Sequence, residues 1–202
     1  KGGKCLNARD VALLAAMNIP WIMVRQRPKV AILATGDEVV MPGEPLGPSQ
    51  IISSNTLGLA ATIETLGCVA QILGIARDNA ESLKQMASAA ANADFLVTTG
   101  GASVGEHDLI QSVLGETGLK VDFWKIAMRP GKPLMAGRLG DAAMIGLPGN
   151  PVSAMVCGHI FVAPVIRHML GLATGPAPRL TTRLATDVPA NGPREHYMRA
   201  TL

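Results

Sequence analysis

One stretch of the chain decides its fold: residues 94–108, with the sequence DFLVTTGGASVGEHD. A short, mostly apolar run at 94–97 is typical of a buried strand, and the residues after Asp108, 109–114, have a helical pattern. A glycine-rich turn between a strand and a helix brings backbone N–H groups close to an anion. Asp108 adds a carboxylate, so the turn favours a phosphate ligand bridged by a divalent cation. The alternative is a tight strand–helix connection in which Asp108 is only the helix N-cap.

The same alternation of apolar runs and helical patterns extends over most of the chain. The predicted strands are 30–34, 69–75, 94–97, 121–127, 134–136 and 143–147, and the main predicted helices are 57–66, 80–91 and 152–170. Strands that alternate with helices predict an α/β fold, a three-layer domain with a mostly parallel sheet flanked by helices. Ligands bind such folds outside the carboxyl ends of the strands, where the glycine-rich and charged loops of this chain fall.

Composition narrows the class of protein. The chain has 202 residues, a formal charge of +3 and only 3% aromatic residues. A nucleic-acid-binding surface is therefore not expected, because it needs basic clusters or aromatic stacking platforms. Three scattered cysteines, Cys5, Cys68 and Cys157, form no CxxC pair. This pattern argues against a disulfide framework or a zinc site and favours a cytoplasmic location.

A second apolar stretch, residues 152–170, is long enough to be considered as a membrane span. His159, Arg167 and His168 interrupt it. We therefore predict a buried core helix and no membrane association. Asn150 is its predicted N-cap, followed by Pro151 at the first helical position.

Three regions are predicted along the chain. Residues 1–27 are interpreted as the end of a preceding domain and a linker. Residues 28–171 form the α/β domain. Residues 172–202 are interpreted as a linker and the start of a small, incomplete C-terminal β domain, because 180–200 has β character. The chain starts without Met, so we expect a piece of a larger protein.

Four short segments carry a resemblance to a known family: ATGDE at 34–38, TGGASVGEHD at 99–108, RPGKP at 129–133 and LPGNPVS at 147–153. Together they resemble the molybdopterin-binding domain of the molybdopterin molybdenumtransferase family, known as MoeA in bacteria and as the E domain of gephyrin in animals. The resemblance covers roughly 28–171. The last two segments are the most discriminating, because relatives that share only the fold usually lack them.

The resemblance implies a reaction and a set of binding partners. The family inserts molybdenum from molybdate into adenylylated molybdopterin, releases AMP and uses Mg²⁺, and its proteins form homodimers. It places functional acids at Glu38, Asp78 and Asp108. The substrate-binding positions that it implies or that the loops suggest are Gly100, Gly101, Ser103, Lys125, Arg129, Lys132, Pro148, Asn150, Pro151 and Ser153.

The residue types suit that chemistry. Mg²⁺ usually takes one or two carboxylates plus substrate phosphates, and Asp108 and Glu38 are the predicted ligands, with Asp78 third. Lys132 and Arg129, together with a helix N-terminus, would supply positive charge to an oxoanion. Arg129 stands where relatives often have Lys.

Simpler interpretations remain open for single residues. Asp78 could be only a helix cap, Glu38 a solvated loop acid, and Lys125 a surface lysine at a strand end. Two other functions also remain open, a molybdopterin adenylyltransferase that uses ATP and a non-enzymatic scaffold of the same fold.

Overall fold

The computed structural model describes residues 2–100, 110, 112–116, 118–175 and 179–201. The helices are α1 (Ala8–Ala16), α2 (Ser54–Thr65), α3 (Ala80–Ala89), α4 (Pro151–Cys157) and α5 (Ala163–Met169), with a π-helical turn Gly158–Val162 between the last two. The strands are β1 (Lys29–Thr35), β2 (Val39–Val40), β3 (Ile51–Ile52), β4 (Val69–Ala76), β5 (Phe95–Thr99), β6 (Leu119–Trp124), β7 (Met128–Arg129), β8 (Met135–Leu139), β9 (Ala142–Leu147) and β10 (Glu195–His196). Residues 110 and 112–115 are also helical.

Six strands form the central sheet in the order β4-β1-β5-β9-β8-β6. Strands β4, β1, β5 and β9 are parallel neighbours, whereas β8 is antiparallel to both β9 and β6. The predicted α/β fold with a mostly parallel sheet is confirmed. The innermost strands are apolar on both faces, and every residue of β5 is buried, as expected for a parallel strand covered on two sides.

Each face of the sheet packs against its own helices. Val30 and Ile32 of β1 join a core cluster with Leu59 and Ile63 of α2 and with the helix of residues 151–169. Because side chains alternate along a strand, Ala31 and Leu33 point to the other face. There they pack against α3 and against Ile110, Val113 and Leu114. One cluster lies on each face of the sheet, so helices, sheet and helices form the three predicted layers. Each fully buried Leu or Ile in these clusters contributes about 1.5–3 kcal/mol of transfer free energy.

The long apolar helix lies against this core. Cys157, Val162 and Ile166 are its buried residues in the first cluster. Within the described part of the chain, Pro151–Met169 is the one helix that is long and apolar enough to cross a membrane by length and composition. Its packing against the sheet supports the prediction of a core helix.

The ends of the chain differ from the centre. Asn7 caps α1 in a capping box with Asp10, yet no residue of α1 is buried. Within residues 179–201, the described strand structure is limited to β10, which pairs in parallel with β7. The β character predicted for 180–200 is therefore realised in a two-residue strand attached to the α/β unit, and the proposed domain boundaries stay predictions.

Candidate functional site

The loops singled out from the sequence meet at one edge of the sheet. Strands β4, β1, β5, β9 and β6 share one direction, because β6 and β9 are both antiparallel to β8. Their carboxyl ends therefore face the same side. The connections that leave them contain residues 36–38, 77–78, 100, 125–134 and 148–150.

A small cleft lies at the ends of β1 and β5, and we call it the strand-end cleft. It has a volume of about 80 Å³ and is lined by Ala34, Thr35, Glu38, Val39, Ile51, Ile52, Ser53, Ser54, Asn55, Thr99, Gly100, Gly149 and Pro151. Three residues predicted from the sequence, Glu38, Gly100 and Pro151, are brought together here. Gly149 also places the neighbouring Pro148 and Asn150 beside the cleft.

Glycines let these strand ends approach each other closely. Gly100 has a φ of +91°, and a Cβ at this position would overlap the carbonyl oxygen of Thr35. Gly149 packs against Gly100, since its own Cβ would lie 3.4 Å from the Gly100 Cα. Side chains at these two positions would fill the space between β1, β5 and the Gly149 loop.

Asn55, in the first turn of α2, joins two of these segments. Its Nδ2 donates to Thr99 Oγ1 at 2.9 Å and to the Gly149 carbonyl oxygen at 2.7 Å. A carbonyl oxygen only accepts hydrogen bonds, so the orientation of the Asn55 amide is fixed. Asn55 thus holds the Gly149 loop against the end of β5.

The acids stand on adjacent loops. The exposed Glu38 side chain folds over Gly36, where a Cβ would lie 2.5 Å from Glu38 Oε2. Asp37 accepts a hydrogen bond from the Asp78 backbone N–H at 3.2 Å. Arg77 donates to the Asp37 carbonyl oxygen at 3.1 Å, which ties the loop after β4 to the loop after β1.

Asp78 is not the N-cap residue of α3. The N-cap of α3 is Asn79, whose side chain accepts a hydrogen bond from the Ser82 N–H at 2.9 Å.

The predicted basic residues lie on the β6–β8 connection. Lys125 has a φ of +69°, which ends β6 at Trp124 instead of the predicted residue 127. Its Nζ lies 3.7 Å from the Trp124 ring centroid, a cation–π contact. Arg129 and Lys132 are exposed. The connection touches α4 at Gly131, where a Cβ would lie 2.6 Å from Cys157 Sγ.

The start of α4 lies between the acidic and basic groups. Asn150 is its N-cap and accepts a hydrogen bond from the Ser153 N–H at 3.2 Å, and Pro151 follows at the first helical position, as predicted. Pro151 lines the strand-end cleft, whereas the next residue, Val152, lines a second cleft with Arg129. One helix start therefore connects the two clefts.

Three predicted site residues, Gly101, Ser103 and Asp108, lie outside the described residues. Among the residues that are described, no group of three or more His, Cys, Asp and Glu side chains could hold a metal ion. A hard cation such as Mg²⁺ takes one or two carboxylates and completes its coordination with water, and the exposed Glu38 carboxylate at the strand-end cleft is a ligand of that type.

The buried cysteines are not suited to nucleophilic chemistry. Burial raises the pKa of the Cys157 thiol to about 11 and also raises the pKa of Cys68. Both thiols stay protonated at neutral pH and serve as small core side chains.

Four residues at this edge were not among the predicted site residues. Thr35, Asp37 and Thr99 lie within the quoted segments 34–38 and 99–108, whereas Asn55 lies in none of the quoted segments. The three uncharged ones sit in ordinary helix or strand patterns. The one available signal was Asn55, because asparagine is a poor helix former and is found inside a first turn mainly for its side-chain hydrogen bonds.

Comparisons with known proteins agree with this fold. The family model described as "probable molybdopterin binding domain" matches residues 31–168. The chain is 40% identical over 198 residues to a molybdopterin molybdenumtransferase of Nostoc sp., covering 96% of this chain and 45% of the relative. It is also 40% identical over 185 residues to one of Haemophilus influenzae, covering 91% and 46%. It thus spans about half the length of the curated relatives it matches.

A solved structure, a molybdopterin biosynthesis moeA protein from Pyrococcus horikosii, has a TM-score of 0.75 and 39% identity. That match covers 85% of this chain and 42% of the solved chain. A molybdenum cofactor biosynthesis protein B shares the fold, with a TM-score of 0.55 at 14% identity, over 73% of this chain and 96% of its own.

Proposed function

The chain belongs to the molybdopterin-binding domain family, and from this premise we propose that it acts as a molybdopterin molybdenumtransferase. The proposed reaction inserts molybdenum from molybdate into the dithiolene of adenylylated molybdopterin and releases AMP. The relatives at 40% identity carry that name.

The observation that carries the proposal is that a cleft with an acidic residue and a cleft with a basic residue meet at the start of α4. The strand-end cleft offers Glu38 and the close-packed glycine backbone at Gly100. The second cleft offers Arg129. A substrate with a pterin, phosphates and an oxoanion partner needs both a polar cleft and nearby positive charge.

We propose that Glu38 and Asp108 hold Mg²⁺, with Asp78 nearby on the next loop. When bound, this ion neutralises charge on the substrate phosphates. The chain's own residues supply the rest. Arg77 fixes the loop of Asp37, so the acids keep their spacing before the substrate arrives.

For the oxoanion we propose Arg129, Lys132 and the first turn of α4. Both side chains are exposed, so they are available to a ligand. Gly131 between them is buried against Cys157, which anchors the loop to the core. Arg129 offers a bidentate fork and Lys132 a point charge, two complementary ways to hold a tetrahedral anion. We propose that Gly101 and Ser103 bind the phosphates together with Lys125, whose Nζ lies over the Trp124 ring.

We further propose a cytoplasmic homodimer. Three free cysteines suit a reducing compartment. Apolar side chains of the first region are exposed, among them Trp21 at 88% and Met23 at 99%. A second copy would remove such a surface from water.

An assay of the full-length protein tests the activity. With adenylylated molybdopterin, molybdate and Mg²⁺, we expect AMP release without ATP consumption. ATP consumption with unadenylylated molybdopterin would instead identify an adenylyltransferase. If the full-length protein shows neither activity, the enzymatic proposal is refuted and a scaffold role is favoured.

A further inference from the structure

The side chain of Asn55 connects the end of β5 to the loop of residues 148–150. Its Nδ2 donates one hydrogen bond to Thr99 Oγ1 and one to the Gly149 carbonyl oxygen. The two acceptors differ in how firmly the chain holds them. Thr99 is buried and is paired in the sheet with β1 on one side and with β9 on the other. Thr99 is therefore the fixed end of this connection.

Gly149 is the end that needs support. It is exposed, and a glycine has no side chain that would restrict its own backbone. It immediately precedes Asn150, which caps α4 by accepting a hydrogen bond from the Ser153 N–H. A hydrogen bond to the Gly149 carbonyl oxygen thus restrains the point from which this helix starts.

The helix that carries Asn55 is itself firmly seated. Leu59 and Ile63 of α2 are buried in the first core cluster. The helix also approaches α4 closely, since a Cβ on Gly58 would lie 3.3 Å from Met155 Sδ. Because a packed element resists small displacements, the Asn55 amide is a fixed reference for the Gly149 loop.

We infer that Asn55 is a positioning residue for the oxoanion, because it fixes the Gly149 loop against β5 and so sets the start of α4 relative to Arg129. This inference rests on the proposed function, in which the first turn of α4 and Arg129 hold the oxoanion together. The loop of Glu38 is held by a different contact, the hydrogen bond from Arg77 to the Asp37 carbonyl oxygen. Loss of the Asn55 amide should therefore affect molybdate and not Mg²⁺.

Amide hydrogen exchange of the full-length protein, followed by mass spectrometry, tests the positioning without any substrate. Asn55→Ala removes both donated hydrogen bonds, and we expect the backbone amides of residues 148–153 to exchange about tenfold faster. Asn55→Asp keeps the shape of the side chain but has no N–H to donate, so it should accelerate exchange at the same residues.

Thr56, the next residue, provides the matched control. Its buried hydroxyl lies 3.1 Å from Ser53 Oγ and donates to the Ser53 carbonyl oxygen at 3.3 Å, so these hydrogen bonds stay within the start of α2. Thr56→Val removes them without changing either hydrogen bond of Asn55. It should leave exchange at residues 148–153 at the wild-type rate, and urea unfolding of all variants measures any general loss of stability.

Steady-state AMP release tests the role of Asn55 in the reaction. A displacement of about 1 Å in a group that positions a substrate can cost about a hundredfold in rate. We expect Asn55→Ala to raise the molybdate concentration for half-maximal activity at least about tenfold, with the corresponding Mg²⁺ concentration unchanged. Thr56→Val should match the wild type in both.

The inference and the proposed function fail in different ways. If the wild type releases no AMP with molybdate, the proposed function fails, and the exchange rates still decide whether Asn55 holds the loop. Exchange at the wild-type rate in Asn55→Ala would overturn the inference. So would a molybdate requirement that stays at the wild-type value, rises equally in Thr56→Val, or rises together with the Mg²⁺ requirement.

Discussion

The close approach of β1 and β5 can be tested by adding a single methyl group. Gly100→Ala would place a Cβ closer than 3.0 Å to the Thr35 carbonyl oxygen and 3.0 Å from its Oγ1. Both atoms belong to a buried strand residue, so neither can move without shifting β1. Gly67→Ala is the matched control. Gly67 has nearly the same φ, +93° against +91°, but nothing lies within 4 Å of its Cβ position.

The expected magnitude follows from the two contributions. At either glycine, an L-residue in the left-handed region costs about 1–2 kcal/mol. The stiffer unfolded chain of an Ala variant offsets about 0.4–1 kcal/mol of that. Only Gly100→Ala also overpacks a buried contact, which costs about 1–3 kcal/mol more. The two variants should therefore differ by about 1–3 kcal/mol in unfolding free energy.

Urea unfolding, followed by circular dichroism, measures the difference. Substrate binding should fall in Gly100→Ala and stay unchanged in Gly67→Ala, because only the first variant disturbs the cleft. If the two variants lose the same stability, within about 0.5 kcal/mol, the contact between Gly100 and Thr35 is not as close as described.

Three further predictions concern charge. Glu38→Gln, isosteric but uncharged, should lower AMP release about a hundredfold at limiting Mg²⁺; an unchanged magnesium dependence would contradict its proposed role. Lys132→Ala should raise the molybdate concentration needed for half-maximal activity, whereas Lys120→Ala, at the opposite end of β6, should not; a parallel change in both would indicate a general charge effect. Burial raises the pKa of the Cys157 thiol from 9.0 to about 11. The contribution of the buried neutral thiol to the unfolding free energy is therefore present below pH 9 and is lost as pH rises toward 11. The unfolding free energy of a Cys157→Ala variant should decline less between pH 9 and 11.

The fold was largely predictable because most of its central strands are uninterrupted apolar runs in the sequence. Residues 30–34 could only be a strand buried on both sides, and the structure extends it by one residue at each end. Asn150 followed by Pro151 marked a helix start in the same local way. Such signals lie within a few residues of one another, so one sequence suffices to read them.

The cleft itself was not predictable for the opposite reason. Asn55 meets Thr99 across 44 residues and Gly149 across 94. No local pattern encodes contacts of that separation. The short strands β2 and β3 were not predicted for a similar reason. They flank a proline- and glycine-rich loop whose ends meet only in the folded chain. The acids and glycines of the site were found because they follow strands, whereas the residue that joins the loops was hidden inside a helix.

The helix Pro151–Met169 links the site to the core. Its first residues, Pro151 and Val152, line the two clefts. Seven residues into the helix, Cys157 Sγ lies against Gly131 of the basic loop, and Ile166 is fully buried under the sheet. Because a packed core resists small displacements, the separation between the two clefts is set by the seating of this helix and not by the loops alone. The exposed basic side chains can then adjust to a ligand while their backbone stays in place, an arrangement that suits the proposed alignment of two substrates.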